Sequence, residues 1–231
     1  MNRYYELRTL TVSLLISSAF AINPVAAKAQ SQSATTNSMA RLESASDLPK
    51  STIWQSGVGQ GFQPTAQTFS VEPGMALGIA TFGSREAHDL ALLSLSYGHM
   101  LGGVKGEGHW YRGNFELRGE LFGGGDYSNT GEWFIGLTPH LRYNFATGTR
   151  WIPFFDAGAG VTATGIGPPD LSGTFEFNLQ AATGVHWFVR DNLALTSEVR
   201  YMHMSCGGIN SPNLGINNVA FLVGLTWVFG K

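Results

Sequence analysis

Residues 175–189 read FEFNLQAATGVHWFV, and this stretch decides the fold class. Its odd-numbered positions are apolar or small, whereas its even-numbered positions include Glu176, Asn178, Gln180 and His186. Successive side chains of a β-strand point to opposite faces, so this period of two predicts a long strand with one apolar and one polar face. Segments of about ten residues that alternate in this way between turns are typical of outer-membrane barrels.

The same alternation recurs along the chain and predicts eight strands. Between them lie short turns at 146–150 and 190–192 and a longer glycine-rich segment at 102–110. No segment after the N-terminal one has ~18 consecutive apolar residues, so no transmembrane helix is expected. The predicted fold is all-β, an eight-stranded antiparallel transmembrane β-barrel of the bacterial outer membrane. The strands are predicted at 71–83, 90–101, 111–123, 131–145, 151–164, 174–189, 193–205 and 217–229.

Aromatic residues at the strand ends indicate that the apolar faces meet lipid rather than a soluble core. With both termini in the periplasm, these residues fall into two belts, as they do at the two interfaces of a membrane barrel. One belt consists of Tyr111, Phe145, Trp151, Trp187, Trp227 and Phe229, and the other of Trp133, Phe175 and Tyr201. The even-numbered faces then line the interior.

The interior of an eight-stranded barrel is just wide enough for side chains to fill it. The inward charges are therefore expected to form a hydrogen-bonded network, and inward His140 and His186 are expected to have the same structural role. A metal site needs several ligands in convergent geometry, and no such spacing is visible, so neither a metal nor a cofactor is expected. The predicted network members are Arg112, Glu116, Arg118, Glu120, Arg142, Asp156, Glu176, Glu198 and Arg200.

The N-terminal part of the chain predicts export. Residues 1–29 combine a basic start, an apolar stretch and small residues suited to cleavage, as in a secretory signal peptide. Residues 30–70 are predicted to be a flexible leader with a short strand at 53–63, and the barrel is placed at 71–231. The formal net charge of −2 provides no basic excess, which argues against nucleic acid as a partner.

The last predicted hairpin carries polar residues where the other strands are apolar. His203 and Ser205 lie on the outward face of the seventh strand, and Asn217 is in phase with the outward face of the eighth. Neighbouring antiparallel strands share a face, so the three side chains can meet on the outer wall near the outer leaflet. Polar groups facing lipid are costly, which makes this cluster a candidate site. The alternative is a frayed strand end whose polar residues face headgroups and loop water.

Residues 203–208 (HMSCGG) and 212–217 (PNLGIN) together resemble the C-terminal signature of the lipid A 3-O-deacylases of the PagL type. The family pattern is His-x-Ser-Asn-Ala-Gly and then Pro-Asn-x-Gly-Ile-Glu. Cys206 therefore stands where the family has asparagine, and Asn217 stands where it has glutamate. The resemblance implies an outer-membrane esterase that removes the ester-linked 3-position acyl chain of lipid A.

Carried over by position, the resemblance makes Ser205 the nucleophile, His203 the general base and Asn217 the residue that orients the histidine. Asparagine can accept the imidazole N–H but carries no charge. A glutamate at 217 would hold the histidine in the productive tautomer and stabilise the imidazolium, so it is predicted to raise activity, and an outward position near the membrane interface is expected to tolerate it. The loop between the two strands would stabilise the oxyanion through its amides. The loop residues concerned are Gly208, Asn213 and Cys206.

Other interpretations stay open at the level of the sequence. A non-enzymatic small barrel of the OmpA or OmpW kind, acting in adhesion or envelope integrity, would carry the motif as a relic. A narrow pore is disfavoured by the charged interior. Cys206 is a rival nucleophile, although no basic neighbour in sequence would activate its thiol. The expected partners are lipid A or lipopolysaccharide and outer-membrane lipids, and a homodimer is left open.

Overall fold

The computed structural model describes residues 63–85 and 87–229, which form a closed antiparallel barrel of eight strands. The strands are β1 (Gln67–Gly78), β2 (Leu90–Lys105), β3 (Gly113–Asp126), β4 (Trp133–Phe145), β5 (Trp151–Thr164), β6 (Phe175–Arg190), β7 (Leu193–Ser205) and β8 (Ile216–Phe229). Each strand pairs with the next along the chain, and β8 pairs with β1 to close the sheet. The prediction of an all-β, eight-stranded antiparallel barrel is confirmed.

The strand bounds agree with the prediction to within three residues, except at both ends of β1 and at the end of β2. β1 ends at Gly78 instead of continuing to residue 83. A Cβ at Gly78 would lie 2.4 Å from the His88 backbone nitrogen, and the Gly78 N–H donates to the Asp89 carboxylate at 2.9 Å. The chain therefore leaves the sheet at this glycine and forms the β1–β2 loop (residues 79–89). β2 runs on to Lys105, through part of the predicted glycine-rich turn.

The N-terminal predictions fall mostly on a part of the chain without a described structure. The signal peptide at 1–29, most of the leader at 30–70 and almost all of the short strand at 53–63 lie outside the described residues. The predicted barrel boundary at residue 71 is slightly late, because β1 already begins at Gln67. Along the described chain, no helix is long and apolar enough to cross a membrane.

Side chains alternate between an exposed outer wall and a buried interior. In β6, Phe175 is 58% exposed whereas Glu176 is fully buried. Aromatic rings gather at both ends of the wall, as predicted from the strand phases. Trp151 and Trp187 stack at one end with ring centroids 5.4 Å apart, and Phe175 meets Phe177 edge to face at the other end at 5.7 Å.

A network of ion pairs fills the middle of the barrel. Arg142 donates to Asp156 at 2.7 Å and to Glu198 at 2.8 Å. Arg200 joins Glu198 at 2.7 Å to Glu120 at 2.6 Å. The further members are Arg118, His140 and His186. Each charge of this network is thus compensated by an opposite charge or a hydrogen bond, as a water-poor interior requires.

Three predicted members of this network lie elsewhere, which corrects the prediction for them. Arg112 lies at the end of the barrel, where its Nε contacts the exposed Glu107 carboxylate at 3.2 Å. Glu116 accepts a hydrogen bond from Asn144 at 3.0 Å. Glu176 binds loop residues at the opposite end. The period of two gives the face of a residue but not its height in the barrel, which the strand register sets.

Apolar layers lie above and below the network. One layer lies at the long-loop end, which carries the β1–β2 loop and the loops at 127–132, 165–174 and 206–215. Here Ile166 and Leu171, from the β5–β6 loop, pack among buried strand residues. A second apolar cluster lies at the opposite end. Buried apolar layers on both sides of a salt-bridged network argue against the narrow-pore interpretation.

Replacing Arg142 with methionine should destabilise the barrel, because Asp156 and Glu198 would each lose a buried cation. Breaking a buried ion pair from one side typically costs about 3–5 kcal/mol. We expect a loss of that order in the free energy of unfolding, measured by denaturant titration in detergent micelles with the heat-modifiable gel shift as readout. Leu141→Met, on the exposed face of the same strand, is the control and should change it by less than about 1 kcal/mol. Equal stability of the two variants would contradict the structural role of the network.

Candidate active site

Ser205, His203 and Asn217 form a continuous hydrogen-bonded chain on the outer wall at the long-loop end. Ser205 Oγ lies 3.0 Å from His203 Nε2. His203 Nδ1 lies 2.8 Å from Asn217 Oδ1. The structure therefore brings together the three side chains that the sequence placed on one face.

The strand register explains this convergence. His203 of β7 stands directly opposite Asn217 of β8, and Ser205 follows His203 by two residues on the same face. On the other side, Leu179 and Phe177 of β6 stand opposite His203 and Ser205. The polar chain is thus flanked by an apolar, lipid-facing strip of β6, with Phe177 42% exposed and Leu179 54% exposed.

The surroundings of Asn217 differ from the prediction. Asn217 is only 1% exposed, because the β1–β2 loop folds over it. The side-chain Nδ2 of Asn217 donates to the Thr81 carbonyl oxygen at 2.8 Å. The backbone carbonyl oxygen of Asn217 accepts from the Ile79 N–H at 2.8 Å. The expectation that position 217 faces the interface is therefore wrong, whereas the gain in activity expected from a glutamate there stays a prediction. A carboxylate there would be buried against a carbonyl oxygen that needs a donor.

These contacts fix the tautomer of His203. The Thr81 carbonyl oxygen can only accept, so Asn217 presents its NH2 group to Thr81 and its Oδ1 to the histidine. Since Oδ1 can only accept, His203 Nδ1 carries the hydrogen, and Nε2 keeps a lone pair for the Ser205 hydroxyl. This is the tautomer in which a histidine can take a proton from serine.

Tyr201 is a site residue that sequence reasoning assigned only to the aromatic belt. Its hydroxyl donates to Asn217 Oδ1 at 2.6 Å. With His203 and Tyr201 as donors, both lone pairs of this oxygen are used, so the amide is held in one orientation. A signal was present in the sequence, because Tyr201 shares the outward phase of His203 and Ser205.

Glycine is required where the β7–β8 loop (residues 206–215) returns over the site. Gly215 has φ +76°, and a Cβ there would lie 3.1 Å from His203 Cε1. Gly207 and Gly208 also have positive φ, at +64° and +84°. Glycine adopts this left-handed conformation without steric cost, which lets the loop turn sharply beside Ser205.

Cys206 is buried and faces its own loop rather than the histidine. Its Sγ accepts from the Asn210 N–H at 3.4 Å and donates to the Asn210 carbonyl oxygen at 3.3 Å. A hydrogen bond with the Ser172 hydroxyl, together with the backbone N–H groups of Asn210, Gly208 and Ile209, lowers the pKa of the Cys206 thiol. The predicted loop residues Cys206 and Gly208 thus contact each other.

The third predicted loop residue, Asn213, is anchored to the barrel. Its Nδ2 donates to Glu176 Oε2 at 3.0 Å. The side chain of Asn213 therefore ties the β7–β8 loop to Glu176 of β6 and does not point at Ser205.

A second polar cluster lies inside the long-loop end. His88 contacts Asp126 at 2.7 Å and Asp170 at 3.2 Å, which links the β1–β2 loop to β3 and to the β5–β6 loop. The Asp170 carbonyl oxygen in turn accepts from the Gly215 N–H at 2.9 Å. Across residues 63–85 and 87–229, no group of three or more His, Cys, Asp or Glu side chains is arranged to hold a metal ion. The cluster ties loops together around the site.

Three solved structures match most of this chain. The outer membrane enzyme PagL is 20% identical, with 69% of this chain and 99% of that chain covered and a TM-score of 0.47. Neisserial surface protein A (NspA) is 17% identical, with coverages of 71% and 99% and a TM-score of 0.50. OprG from Pseudomonas aeruginosa is 11% identical, with coverages of 74% and 99% and a TM-score of 0.43. Of these, NspA supports the barrel fold, and the fold alone.

The decisive comparison is with a protein-family model. A search of curated proteins finds no match to this chain. The family model described as lipid A 3-O-deacylase (PagL) matches residues 91–226, which is more than half of the chain and includes Ser205, His203 and Asn217. The chain therefore belongs to the lipid A 3-O-deacylase (PagL) family.

Proposed function

We propose that Ser205 and His203 carry out the reaction of this outer-membrane lipid A 3-O-deacylase. The observation that carries the proposal is the 3.0 Å contact between Ser205 Oγ and Nε2 of His203, whose other ring nitrogen is held by Asn217. Family membership decides against the non-enzymatic barrel of the OmpA or OmpW kind. Lipid A is the substrate that the family implies, and its ester-linked 3-position acyl chain is the group removed.

The reaction proceeds through an acyl-enzyme. Ser205 Oγ attacks the ester carbonyl carbon while His203 Nε2 takes the hydroxyl proton. The histidine then gives this proton to the 3-oxygen of the sugar as the carbon–oxygen bond of the ester breaks. Water, deprotonated by the same nitrogen, attacks the acyl-serine and releases the fatty acid. Ser205 regains its proton, and the site returns to its starting state.

Asn217 acts as a neutral orienting residue. It holds the Nδ1–H of His203 through an oxygen fixed by Tyr201 and by the Thr81 contact. It supplies geometry without a negative charge, so it stabilises the imidazolium formed during acylation less than a carboxylate would.

The turn after Ser205 would stabilise the oxyanion through backbone amides. Because the N–H groups of Gly208, Ile209 and Asn210 contact the Cys206 sulfur, we assign this role to the amides of the turn that lie nearer Ser205 rather than to Gly208. Cys206 contributes its backbone, since its thiol is engaged with Asn210. Asn213 supports the loop through Glu176.

The site suits a substrate that lies in the membrane. Ser205 sits at the edge of the barrel, and the exposed apolar strip of β6 beside it provides a surface for an acyl chain. We place the long-loop end at the cell surface, where lipopolysaccharide lies. The cleaved signal peptide at 1–29 and a homodimer stay predictions.

Ser205→Ala and His203→Ala should each abolish deacylation. Removing a member of such a unit lowers the rate by roughly a thousand-fold or more. Release of 3-linked acyl chains from lipid A in detergent micelles, followed by mass spectrometry with matched amounts of folded protein, measures the effect. Ser197→Ala, an exposed serine of the same strand, is the control and should retain activity. An active Ser205→Ala with an inactive Cys206→Ala would instead make the cysteine the nucleophile.

Substitution of Asn217 should separate geometry from charge. Asn217→Ala removes the orienting acceptor and should lower kcat by roughly ten-fold or more, with the acid limb of the pH–rate profile unmoved. Asn217→Asp gives up the hydrogen bond to Thr81, and in a variant verified to be folded it adds a carboxylate beside the imidazole and stabilises the protonated imidazole, which cannot take the serine proton. The acid limb should therefore move to higher pH. Identical acid limbs in wild type and Asn217→Asp would show that residue 217 does not act on the histidine.

Tyr201→Phe tests the hydroxyl that fixes the Asn217 amide. One hydrogen bond of this kind contributes about 1 kcal/mol, so kcat should fall by roughly five-fold with the barrel intact. Tyr143→Phe is the matched control, because its hydroxyl donates to the Tyr111 carbonyl oxygen far from the site. A wild-type kcat in Tyr201→Phe would mean that Asn217 is oriented without it.

A further inference from the structure

Glu176 is a buried carboxylate that joins two loops beside the nucleophile. It lies on the inward face of β6 near the long-loop end and is fully buried. Its Oε1 accepts from the Ser172 N–H at 3.0 Å, the Ser172 hydroxyl at 3.2 Å and the Gly173 N–H at 3.2 Å. Its Oε2 accepts from Asn213 Nδ2 at 3.0 Å. One side chain thus binds the β5–β6 loop with one oxygen and the β7–β8 loop with the other.

The β5–β6 loop supports the β7–β8 loop at further points. The Leu214 N–H donates to the Pro169 carbonyl oxygen at 3.1 Å, and the Gly215 N–H donates to the Asp170 carbonyl oxygen at 2.9 Å. Ser172, which Glu176 holds, also contacts the Cys206 thiol. Residues 206 and 215 are the first and last of the β7–β8 loop, so the support reaches both ends of the segment that passes over Ser205 and His203.

The negative charge of Glu176 is suited to this role. A carboxylate offers only acceptors, and all the groups that face it here are donors. Hydrogen bonds to an ionised acceptor are roughly twice as strong as neutral ones, which favours a fixed loop geometry. Among the described residues no Lys, Arg or His forms an ion pair with Glu176, so the loop donors themselves hold its charge.

We propose that Glu176 is a positioning residue for ester hydrolysis, holding the β7–β8 loop so that its backbone amides meet the oxyanion of the tetrahedral intermediate. The proposal rests on the proposed function of Ser205 and His203. Its consequence is kinetic. Loosening the loop raises the barrier to acylation, whereas the acyl chain still binds to the outer wall, so kcat falls while KM changes little.

A reciprocal exchange of donor and acceptor tests this. In Glu176→Gln the amide NH2 would face the NH2 of Asn213, and in Asn213→Asp two carboxylates would face each other. In the double variant, E176Q with N213D, the glutamine keeps an oxygen for Ser172 and Gly173, and its NH2 donates to the new aspartate at unchanged net charge. We expect each single variant to lower kcat by roughly ten- to a hundred-fold with KM within about two-fold. The double variant should recover to within about five-fold of wild type.

Glu116→Gln is the matched control. Glu116 is also a buried inward carboxylate, but it bonds to Asn144 and Thr68 towards the other end of the barrel. Its replacement should leave kcat of the folded protein unchanged. Heat-modifiable migration on gels and unfolding in denaturant verify that all variants are folded before kinetics are compared.

The outcomes separate the two proposals. A wild-type kcat in Glu176→Gln, or no recovery in a folded double variant, would overturn the positioning role, and an inactive Ser205→Ala would then leave the proposed function intact. A fully active Ser205→Ala would refute the serine mechanism, and the positioning role with it. Recovery in the double variant, together with an inactive Ser205→Ala, supports both.

Discussion

Closure of the sheet by the pairing of β1 with β8 is the constraint on which the rest of the structure depends. The ladder runs from Gln67 opposite Phe229 to Gly78 opposite Asn218, so the described strands have no free edge. In a hydrocarbon environment an unpaired backbone N–H or C=O costs several kcal/mol, and only helices and closed barrels avoid this. Closure also fixes two kinds of face, an apolar one for lipid and an inner one whose charges must compensate each other.

The site lies at the loop end of the β7–β8 hairpin, where the paired strands give way to a loop. Polar side chains on the outer wall would be costly if their bonding groups met only lipid. Here the donors and acceptors of Ser205, His203, Asn217 and Tyr201 are directed at one another. Such a chain lowers the cost of placing an imidazole and a hydroxyl group at the lipid boundary. In this chain Asn217 stands where the family pattern has glutamate, and the Thr81 carbonyl oxygen keeps its amide in one orientation.

Loops complete the site that the strands begin. The β1–β2 loop covers Asn217, and the β5–β6 loop carries the contacts that hold the β7–β8 loop. Glu176 and the His88 cluster join these loops to the barrel interior. The sheet therefore sets the distance between His203 and Ser205. The loops set the burial and the hydrogen-bond partners of the residues around that pair.

The sequence by itself determined the strands, their faces and the placement of Ser205 beside His203. Alternation with a period of two assigns Phe175 outward and Glu176 inward, and the same rule places Ser205, His203 and Asn217 on one face, since these features are local in the chain. Only the tertiary structure decided that Asn217 is buried, that Tyr201 holds it, and that Glu176 binds the β7–β8 loop rather than the central network. These features depend on the path of the chain after Gly78 and on the height at which the closed sheet places each side chain. Both arise from contacts between segments far apart in sequence, which no local pattern encodes.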